Sequence, residues 1–197
     1  SSKELLNINH INNVSVTGDT RIDRVKEISK QEKKFDSIEK FINNDICFIA
    51  GSSWEADNDI FLKSILESGN LKTIIAPHNV IASDIENLEK KTQSLSVRYS
   101  RIDQDLDSSK KILIIDSIGS LKHLYKFADI AYIGGGMGDS GLHNILEAAV
   151  FAIPVIIGKN YKGFAEAEKL VKLGGVKSVN SKLEFDDIFN KDRKSTR

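Results

Sequence analysis

The sequence is poor in the residues that crosslink a chain or interrupt it. Its 197 residues include one cysteine and two prolines. A single thiol forms no disulfide within the chain, so a disulfide-stapled fold is excluded and a reducing compartment fits. That cysteine, Cys47, lies in the apolar run ICFIA, which predicts a buried side chain that packs as a small apolar group.

The sequence also has no excess of basic over acidic residues, or of acidic over basic ones. The 28 basic residues equal the 28 acidic ones. A general nucleic-acid binder usually carries a basic excess, so we expect no nucleic acid partner, although one phosphate could still bind in a local basic pocket. No run approaches the ~20 apolar residues of a membrane span, and the first ten residues do not have the pattern of a signal peptide.

Most catalytic signatures are also absent. The chain contains neither G-x-x-x-x-G-K-[ST] nor G-x-S-x-G, which argues against a P-loop nucleotidase and a Ser/His/Asp hydrolase. The histidines form no i, i+4 pair and have no neighbouring cysteine cluster, so we expect no metal site. The four histidines are His10, His78, His123 and His143.

What the chain does contain is an alternation of apolar runs and helix-period segments. The apolar runs predict strands at 13–17, 45–50, 71–76, 94–99, 111–116, 129–134, 153–158 and 175–179. Spacing of i, i+3, i+4 between them predicts helices at 57–68, 81–92, 120–127, 142–151 and 161–173. This order predicts an α/β fold, a Rossmann-like doubly wound parallel sheet covered by helices on both faces.

We assign residues 1–190 to this single domain. Within it, the highly charged segment 19–43 is predicted to form one or two connecting helices before the main sheet. The remaining residues, 191–197, form a charged tail that we predict to be unstructured.

Ligands of such sheets bind at the carboxyl ends of the strands. Small and polar residues follow almost every predicted strand, at 17–19, 51–53, 77–79, 116–120, 135–141 and 158–160. Tight turns between strands and helices use glycine in any case, but several small polar loops at one edge favour a ligand site.

One of these loops, GGGMGDSG at 134–141, contains the pattern G-x-G-x-x-G at Gly136, Gly138 and Gly141. A dinucleotide fingerprint normally opens the first βαβ unit, and an acidic residue follows ~20 residues later at the end of the next strand. Here the glycines come late, and residues 158–160 after the next strand read GKN. The context therefore argues against a dinucleotide site.

The helix predicted after this loop carries polar residues suited to a nucleotide sugar. His143 and Asn144 are expected in its first turn, and Glu147 one turn later on the same face as Asn144. The helix amino end would attract a phosphate, and the carboxylate would accept hydrogen bonds from ribose hydroxyls. His143 either donates a hydrogen bond to the phosphate or packs in the first turn.

Five stretches together resemble the carboxyl-terminal half of 3-deoxy-D-manno-octulosonic acid (Kdo) transferases, in the version found in Bacteroidetes-type bacteria. The resemblance runs in order from about residue 12 to about residue 190, and the combination of G-S-S-W, D-S-x-G-x-L-x-x-L-Y and H-N-x-L-E is specific. The stretches are VTGDTRIDRV (16–25), IAGSSWEADN (49–58), IIAPHNV (74–80), DSIGSLKHLYKFADIAYIGGG (116–136) and GLHNILEAAVFAIPVIIG (141–158).

The resemblance implies a GT-B glycosyltransferase with two Rossmann-like domains facing a cleft. The family moves Kdo from CMP-Kdo to a lipid A precursor, with inversion and with neither a metal nor a cofactor. The carboxyl-terminal domain holds the CMP part of the donor. The amino-terminal domain, which this chain does not include, carries the general base, the acceptor site and the membrane-proximal surface.

By motif match, the resemblance also implies the CMP-Kdo contacts. Ser52 and Ser53 would touch the phosphate or sugar, and Arg21 would support the phosphate or the Kdo carboxylate. His78 would line the cytosine pocket, although H-N-V-I replaces the family's H-P-E-R and removes its arginine. The other implied contacts are Ile118 and Gly119 at the CMP site, Gly136 and Gly138 in the loop, Asn144 at the phosphate and Glu147 at the ribose.

We therefore expect this chain alone to bind CMP, to be soluble and to be inactive in transfer. The full-length enzyme would act at the cytoplasmic side of the bacterial inner membrane, associated through its other half. Two alternatives stay open: another GT-B-type transferase or UDP-sugar epimerase, and a non-catalytic nucleotide-binding domain.

Overall fold

The computed structural model describes residues 20–31 and 33–195. Within them, all the strands expected beyond residue 20 are present; the predicted strand at 13–17 lies outside the described residues. The strands are β1 (Ile46–Ser53), β2 (Leu71–Pro77), β3 (Ser96–Arg98), β4 (Ile112–Ile114), β5 (Ile130–Ile133), β6 (Val155–Gly158) and β7 (Val176–Val179).

Helices connect these strands and precede the first of them. They are α1 (Thr20–Ser29), α2 (Asp36–Ile42), α3 (Glu55–Glu67), α4 (Ala82–Thr92), α5 (Ile102–Asp105), α6 (Leu121–Leu124), α7 (Leu146–Ala149), α8 (Ala165–Lys172) and α9 (Lys182–Ser195). Helices α1 and α2 occupy the segment predicted to connect to the sheet.

Several predictions about where helices begin or end were wrong, and the helix expected at 161–173 begins only at Ala165. The helix expected at 142–151 is only α7, so the residues before Leu146 belong to the loop. The tail expected to be unstructured from residue 191 continues α9 as far as Ser195. Phe185 and Phe189 anchor that helix to the core against Phe48, with ring centroids 6.0 and 5.4 Å away.

The strands form one sheet in the order β3-β4-β2-β1-β5-β6-β7, and every neighbouring pair is parallel. The chain moves to one side of β1 through β2, and after β4 it crosses to the other side through β5. The strand order therefore reverses between β1 and β5. In open parallel sheets such a reversal leaves a crevice at the carboxyl ends, where ligands bind.

Both faces of the sheet are buried, as the apolar runs predicted. Along β1, Cys47 and Ile49 face one core, and Phe48 and Ala50 face the other. The first core is covered by residues of α2, α6, α7 and α8, and the second by residues of α3, α4 and α9. Cys47 is fully buried, and burial raises the pKa of its thiol, so it packs as an inert apolar group.

No helix in the described ranges is long and apolar enough to cross a bilayer.

Candidate functional site

The candidate site lies at the carboxyl ends of β1 and β5, where the strand order reverses. The loop that follows β1 and the loop 134–141 that follows β5 are held together by their backbones. Gly134 N–H donates to the carbonyl of Gly51 at 2.9 Å. A Cβ on Gly134 would overlap the backbone of Ser52, so the two loops touch only because residue 134 is glycine.

A buried carboxyl group, Asp57, organises both loops. Its two oxygens accept hydrogen bonds from the N–H of Trp54 at 2.9 Å, of Gly135 at 2.8 Å and of Met137 at 3.2 Å, and from the hydroxyl of Tyr132 at 2.9 Å. Its side chain has no exposed surface. Asp57 thus fixes the start of α3, the end of β5 and the glycine loop to one another.

Asp57 was not among the predicted site residues, although the sequence contains a signal for it. Asp57 lies one and two turns before Phe61 and Ile65 on α3, so it occupies the apolar face of that helix. A carboxyl group on a buried face is costly unless it is hydrogen-bonded, which marks it as a structural or functional centre.

Close packing against neighbouring backbone accounts for some of the glycines in the loop 134–141. A Cβ on Gly136 would lie 2.8 Å from the backbone N of Gly158 on β6. The N–H groups of Gly135 and Met137 already bond to Asp57, so they are not available to a phosphate. Around Gly138 there is open space, the nearest atom to an added Cβ being 4.0 Å away. Of the two glycines predicted to contact the ligand, Gly138 is the one that packing does not explain.

Three aromatic rings stack where these loops meet. The Trp54 and His78 rings lie 4.3 Å apart, and the His78 and His143 rings 4.5 Å apart. Trp54 Nε1–H donates to His143 Nε2 at 3.3 Å. Because Nε2 accepts this bond, the neutral imidazole of His143 carries its proton on Nδ1. The loops after β1, β2 and β5 are therefore joined through side chains that are far apart in sequence.

Burial lowers the pKa of His143, and the neighbouring His78 lowers it further, whereas Asp57 raises it. The largest of these effects is desolvation, which disfavours the charged ring. The stack is thus built from a neutral His143.

Glu147 and Asn144 lie together, as predicted, but not on the predicted helix turn. Helix α7 begins at Leu146, so His143 and Asn144 precede it and Glu147 is in its first turn. Asn144 accepts from the N–H of Leu146 and donates from Nδ2 to Glu147 Oε1, each at 3.2 Å. The Asn144 side chain accepts from the N–H two residues later, as in an Asx turn, and α7 starts at Leu146, later than the apolar spacing predicted.

The environment of Glu147 disfavours its charge. Desolvation raises its pKa, while the hydrogen bond from Asn144 and the charges of Lys122 and Arg24 lower it. Burial raises the pKa of Tyr125, and the charge of Glu147 adds to that effect. Glu147 is therefore a half-buried carboxyl group between a fully buried phenol and two cations.

Tyr125 lies where three of the sequence motifs come together in the fold. A Cβ at Gly51 would overlap the Tyr125 hydroxyl oxygen, and Glu147 acts electrostatically on that same hydroxyl. Gly51, Tyr125 and Glu147 belong respectively to the G-S-S-W, D-S-x-G-x-L-x-x-L-Y and H-N-x-L-E motifs. The three motifs meet at one point under the edge of the sheet.

Ser52 and Ser53 lie at the end of β1, beside the glycine loop. Ser52 has a φ of 52°, in the left-handed region, next to a shift of register between Gly51 and Ser53. The Ser53 side chain is 2 % exposed, and its carbonyl accepts from the N–H of His78 at 3.0 Å. Non-glycine residues in this conformation are costly and cluster at functional sites.

The remaining predicted contacts lie further out. Ile118 is 90 % exposed, and Gly119, with a φ of 92°, has open space around it. Arg21 forms an ion pair with Glu166 at 2.8 Å. Helix α1 packs against α6 and α7, and the cation on it that influences Glu147 is Arg24, which sequence analysis did not single out.

Across the described part of the chain, no group of three or more histidine, cysteine, aspartate or glutamate side chains could hold a metal ion.

No protein-family model matches the chain. It is 30 % identical over 175 residues to the 3-deoxy-D-manno-octulosonic acid transferase of Haemophilus influenzae, covering 85 % of this chain and 40 % of that protein. It is also 30 % identical over 152 residues to a bifunctional glycosyltransferase/methyltransferase of Fusobacterium nucleatum, covering 75 % of this chain and 23 % of that protein. The chain thus spans less than half the length of either relative.

Among solved structures, the fold matches the C-terminal CMP-Kdo binding domain of WaaA from Acinetobacter baumannii. The TM-score is 0.68 at 17 % sequence identity, covering 88 % of this chain and 89 % of that domain. The fold is that of the Rossmann-like, carboxyl-terminal domains of GT-B glycosyltransferases. In sequence, the chain is a homologue of the Kdo transferases. The narrower Bacteroidetes assignment stays a prediction.

Proposed function

We propose that this chain is the donor-binding domain of a Kdo transferase and binds the CMP part of CMP-Kdo at the carboxyl ends of β1 and β5. The observation that carries the proposal is the half-buried Glu147, held by Asn144 where the motifs shared with that family meet. A carboxylate in this setting is costly in the free protein, and a ligand with two adjacent hydroxyl donors relieves the cost.

In this proposal each predicted residue has a distinct task. Glu147 accepts hydrogen bonds from the ribose hydroxyls, and Lys122 and Arg24 favour its ionised form. His143 offers its Nδ1–H to the phosphate, because Trp54 occupies Nε2. Ser52 and Gly138 line the approach to the phosphate, and Gly138 leaves room for it.

The cytosine would lie against His78 and the exposed Ile118-Gly119 turn. Ile118 offers an apolar surface that is 90 % exposed in the free chain. Arg21, paired with Glu166 on α8, would have to exchange that partner for the phosphate or the Kdo carboxylate. Cations near a leaving phosphate stabilise the charge that develops as the glycosidic bond breaks.

In this proposal the full-length protein transfers Kdo to a lipid A precursor, with inversion and without a metal, as its resemblance to the Kdo transferases implies. The general base and the acceptor site would lie outside this chain, in an amino-terminal domain that also associates with the cytoplasmic face of the inner membrane. The isolated chain is therefore expected to bind CMP without transferring Kdo, and measured transfer by the chain alone would contradict this assignment.

A nucleotide panel tests the proposal. Thermal shift and NMR titrations with CMP, UMP, UDP and NAD are expected to show the largest stabilisation with CMP. Preference for UDP would favour another GT-B-type transferase or an epimerase, and preference for NAD would restore the dinucleotide interpretation. Either result would overturn the assignment to Kdo transfer.

A further inference from the structure

A cavity that we call the lysine pocket lies along β7, the last strand at one edge of the sheet, beside the loop that follows β6. Its volume is about 510 Å³. The loop and the strand supply most of its polar lining, which comprises Lys159, Tyr161, Lys162, Lys177 and Ser178. Sites for small-molecule ligands measure ~300–1,000 Å³, so the lysine pocket is large enough for one.

The charged side chains that line this pocket all have the same sign. Lys159, Lys162 and Lys177 are exposed there, and none of the described residues that line the pocket has a carboxyl group. Within the described part of the chain, none of the three lysines forms an ion pair. The charge of Lys177 also acts on Asp192, but Asp192 does not line the pocket. The three cations repel one another, and an anion bound among them relieves that repulsion.

Hydrogen bonds fix the backbone on both sides of the pocket. In the loop after β6, Asn160 N–H donates to the carbonyl of Gly136 at 2.8 Å, and Asn160 Nδ2 donates to the carbonyl of Gly138 at 2.9 Å. On β7, the hydroxyl of Ser178 donates to the carbonyl of Gly158 at 3.2 Å. The lysines are thus mounted on backbone that is ordered before a ligand binds, which lowers the entropic cost of binding.

The number of donors in the pocket indicates the chemistry of the anion. The ring of Tyr161 packs against the first core, and within the described residues its hydroxyl has no hydrogen-bond partner. Three ammonium groups and one hydroxyl suit a phosphate monoester, which has nearly two negative charges and three terminal oxygens near neutral pH. A carboxylate has one charge and two oxygens, so it would leave part of this positive charge uncompensated.

We propose that the lysine pocket binds a phosphate monoester carried on a larger body, with the three ammonium groups and the Tyr161 hydroxyl around the phosphate. Small phosphorylated sugars and the headgroup of phosphatidic acid share this chemistry, and the test separates the two. The inference does not depend on the proposed CMP binding, because Asn144 and Glu147 do not line this pocket.

The first test is a titration of the chain with glucose 6-phosphate, followed by ¹⁵N NMR, with glucose as the uncharged control. We expect saturable shifts of the backbone amide signals of residues 159–162 and 177–180 with glucose 6-phosphate alone. The affinity is expected to fall as sodium chloride is added, because salt screens the attraction between exposed charges. Glu147→Ala is expected to keep this response, so a failure of the proposed CMP site is seen separately.

Variants localise the binding to the lysine pocket. Lys162→Gln is expected to weaken the affinity for glucose 6-phosphate roughly three- to tenfold, because one charge-assisted hydrogen bond is lost. Tyr161→Phe keeps the ring on the core but removes the hydroxyl, so a smaller loss in the same direction is expected. The matched control is Lys63→Gln on α3, which removes the same charge from a side chain that is 71 % exposed and lies outside the pocket.

The second test is co-sedimentation of the chain with vesicles of phosphatidylcholine that contain phosphatidic acid. Vesicles with phosphatidylglycerol, a phosphate diester, control for general surface charge. Binding to glucose 6-phosphate or to phosphatidic acid that Lys162→Gln weakens supports the inference and identifies the source of the phosphate. The inference is overturned if neither phosphate monoester binds more strongly than its control, if Lys162→Gln and Lys63→Gln have equal effects, or if the NMR shifts are confined to residues 143–147.

Discussion

Glu147 has an environment that makes its ionised form unfavourable in the folded chain. Its pKa is raised above 4.5, mainly because burial desolvates the carboxylate. The folded chain therefore holds this proton more tightly than the unfolded chain does. As pH rises from about 4.5 through the folded pKa, the contribution of Glu147 to the free energy of unfolding falls. At neutral pH the charged carboxylate therefore destabilises the fold.

Replacing Glu147 by glutamine is accordingly expected to stabilise the ligand-free chain at neutral pH. Glutamine keeps the shape and the contact with Asn144 but has no charge to desolvate. Thermal unfolding measured from pH 4 to pH 8 should show the advantage of the variant growing as pH rises. An unchanged or lower melting temperature at pH 7.5 would show that Lys122 and Arg24 already compensate the burial of the charge.

The ring stack predicts a pH response in Trp54. The pKa of His143 is lowered from 6.5 mainly by its burial, so the folded state takes up this proton less readily than the unfolded state. The contribution of neutral His143 to stability is then fully present above about pH 6.5 and is lost as pH falls through the folded pKa. Protonation of Nε2 would break the bond from Trp54 Nε1–H.

Trp54 fluorescence is therefore expected to change with a midpoint below 6.5, and the change should disappear in His143→Phe. Far-UV circular dichroism over the same range serves as the control for global unfolding. A midpoint above 6.5, or an unaltered titration in His143→Phe, would assign the response to another group.

At the scale of the elements, α3 and the glycine loop behave as one unit through Asp57. Asp57→Asn replaces one acceptor oxygen by an NH₂ group that faces backbone donors. We expect a loss of about 3 kcal/mol or more in the free energy of unfolding, because hydrogen bonds to a buried charged group are broken.

Asp59→Asn on the same helix is the control for this variant. Its side chain is 65 % exposed and pairs with Lys91 at the surface, so its effect is expected to stay within about 0.5 kcal/mol. Urea unfolding of both variants measures the difference. Equal effects would show that Asp57 is not the centre of this unit.

Alanine substitution distinguishes the structural role of Gly136 from the proposed binding role of Gly138. Gly136→Ala places a Cβ 2.8 Å from the Gly158 backbone N, and is expected to cost about 1–3 kcal/mol of stability. Gly138→Ala meets open space, so it should preserve the melting temperature but weaken CMP binding if the phosphate approaches this residue. Normal CMP affinity in Gly138→Ala would remove that residue from the site.

Elements of the sheet were predictable because buried parallel strands are apolar on consecutive positions, as in β2 and β4. The start of α7 was not, since the side chain of Asn144 competes with a helical turn that the apolar spacing alone favours. The stack of Trp54, His78 and His143 could not be predicted from the sequence either. It depends on contacts between residues up to 89 positions apart, which periodicity does not encode.

At the scale of the whole molecule, one parallel sheet places four loops on a single edge. Sequence motifs predicted Ser52, Asn144 and Glu147 at that edge, and the structure adds Asp57, which binds the backbone of Trp54 and of the glycine loop. Such residues cannot be predicted from sequence motifs, because their partners lie on other elements of the fold. The fold thus assembles the edge at which we propose that CMP binds, and the chain spans 40 % of the length of its Haemophilus relative.

The most direct measurement is a calorimetric titration of the chain with CMP, in the wild type and in Glu147→Ala. The wild type is expected to bind CMP with one site per chain, and Glu147→Ala to lose roughly 1–3 kcal/mol of binding free energy. Glu67→Ala, an exposed glutamate at the end of α3, should bind as the wild type does. Absence of CMP binding by the wild type, or an unchanged dissociation constant in Glu147→Ala, would contradict the proposed site.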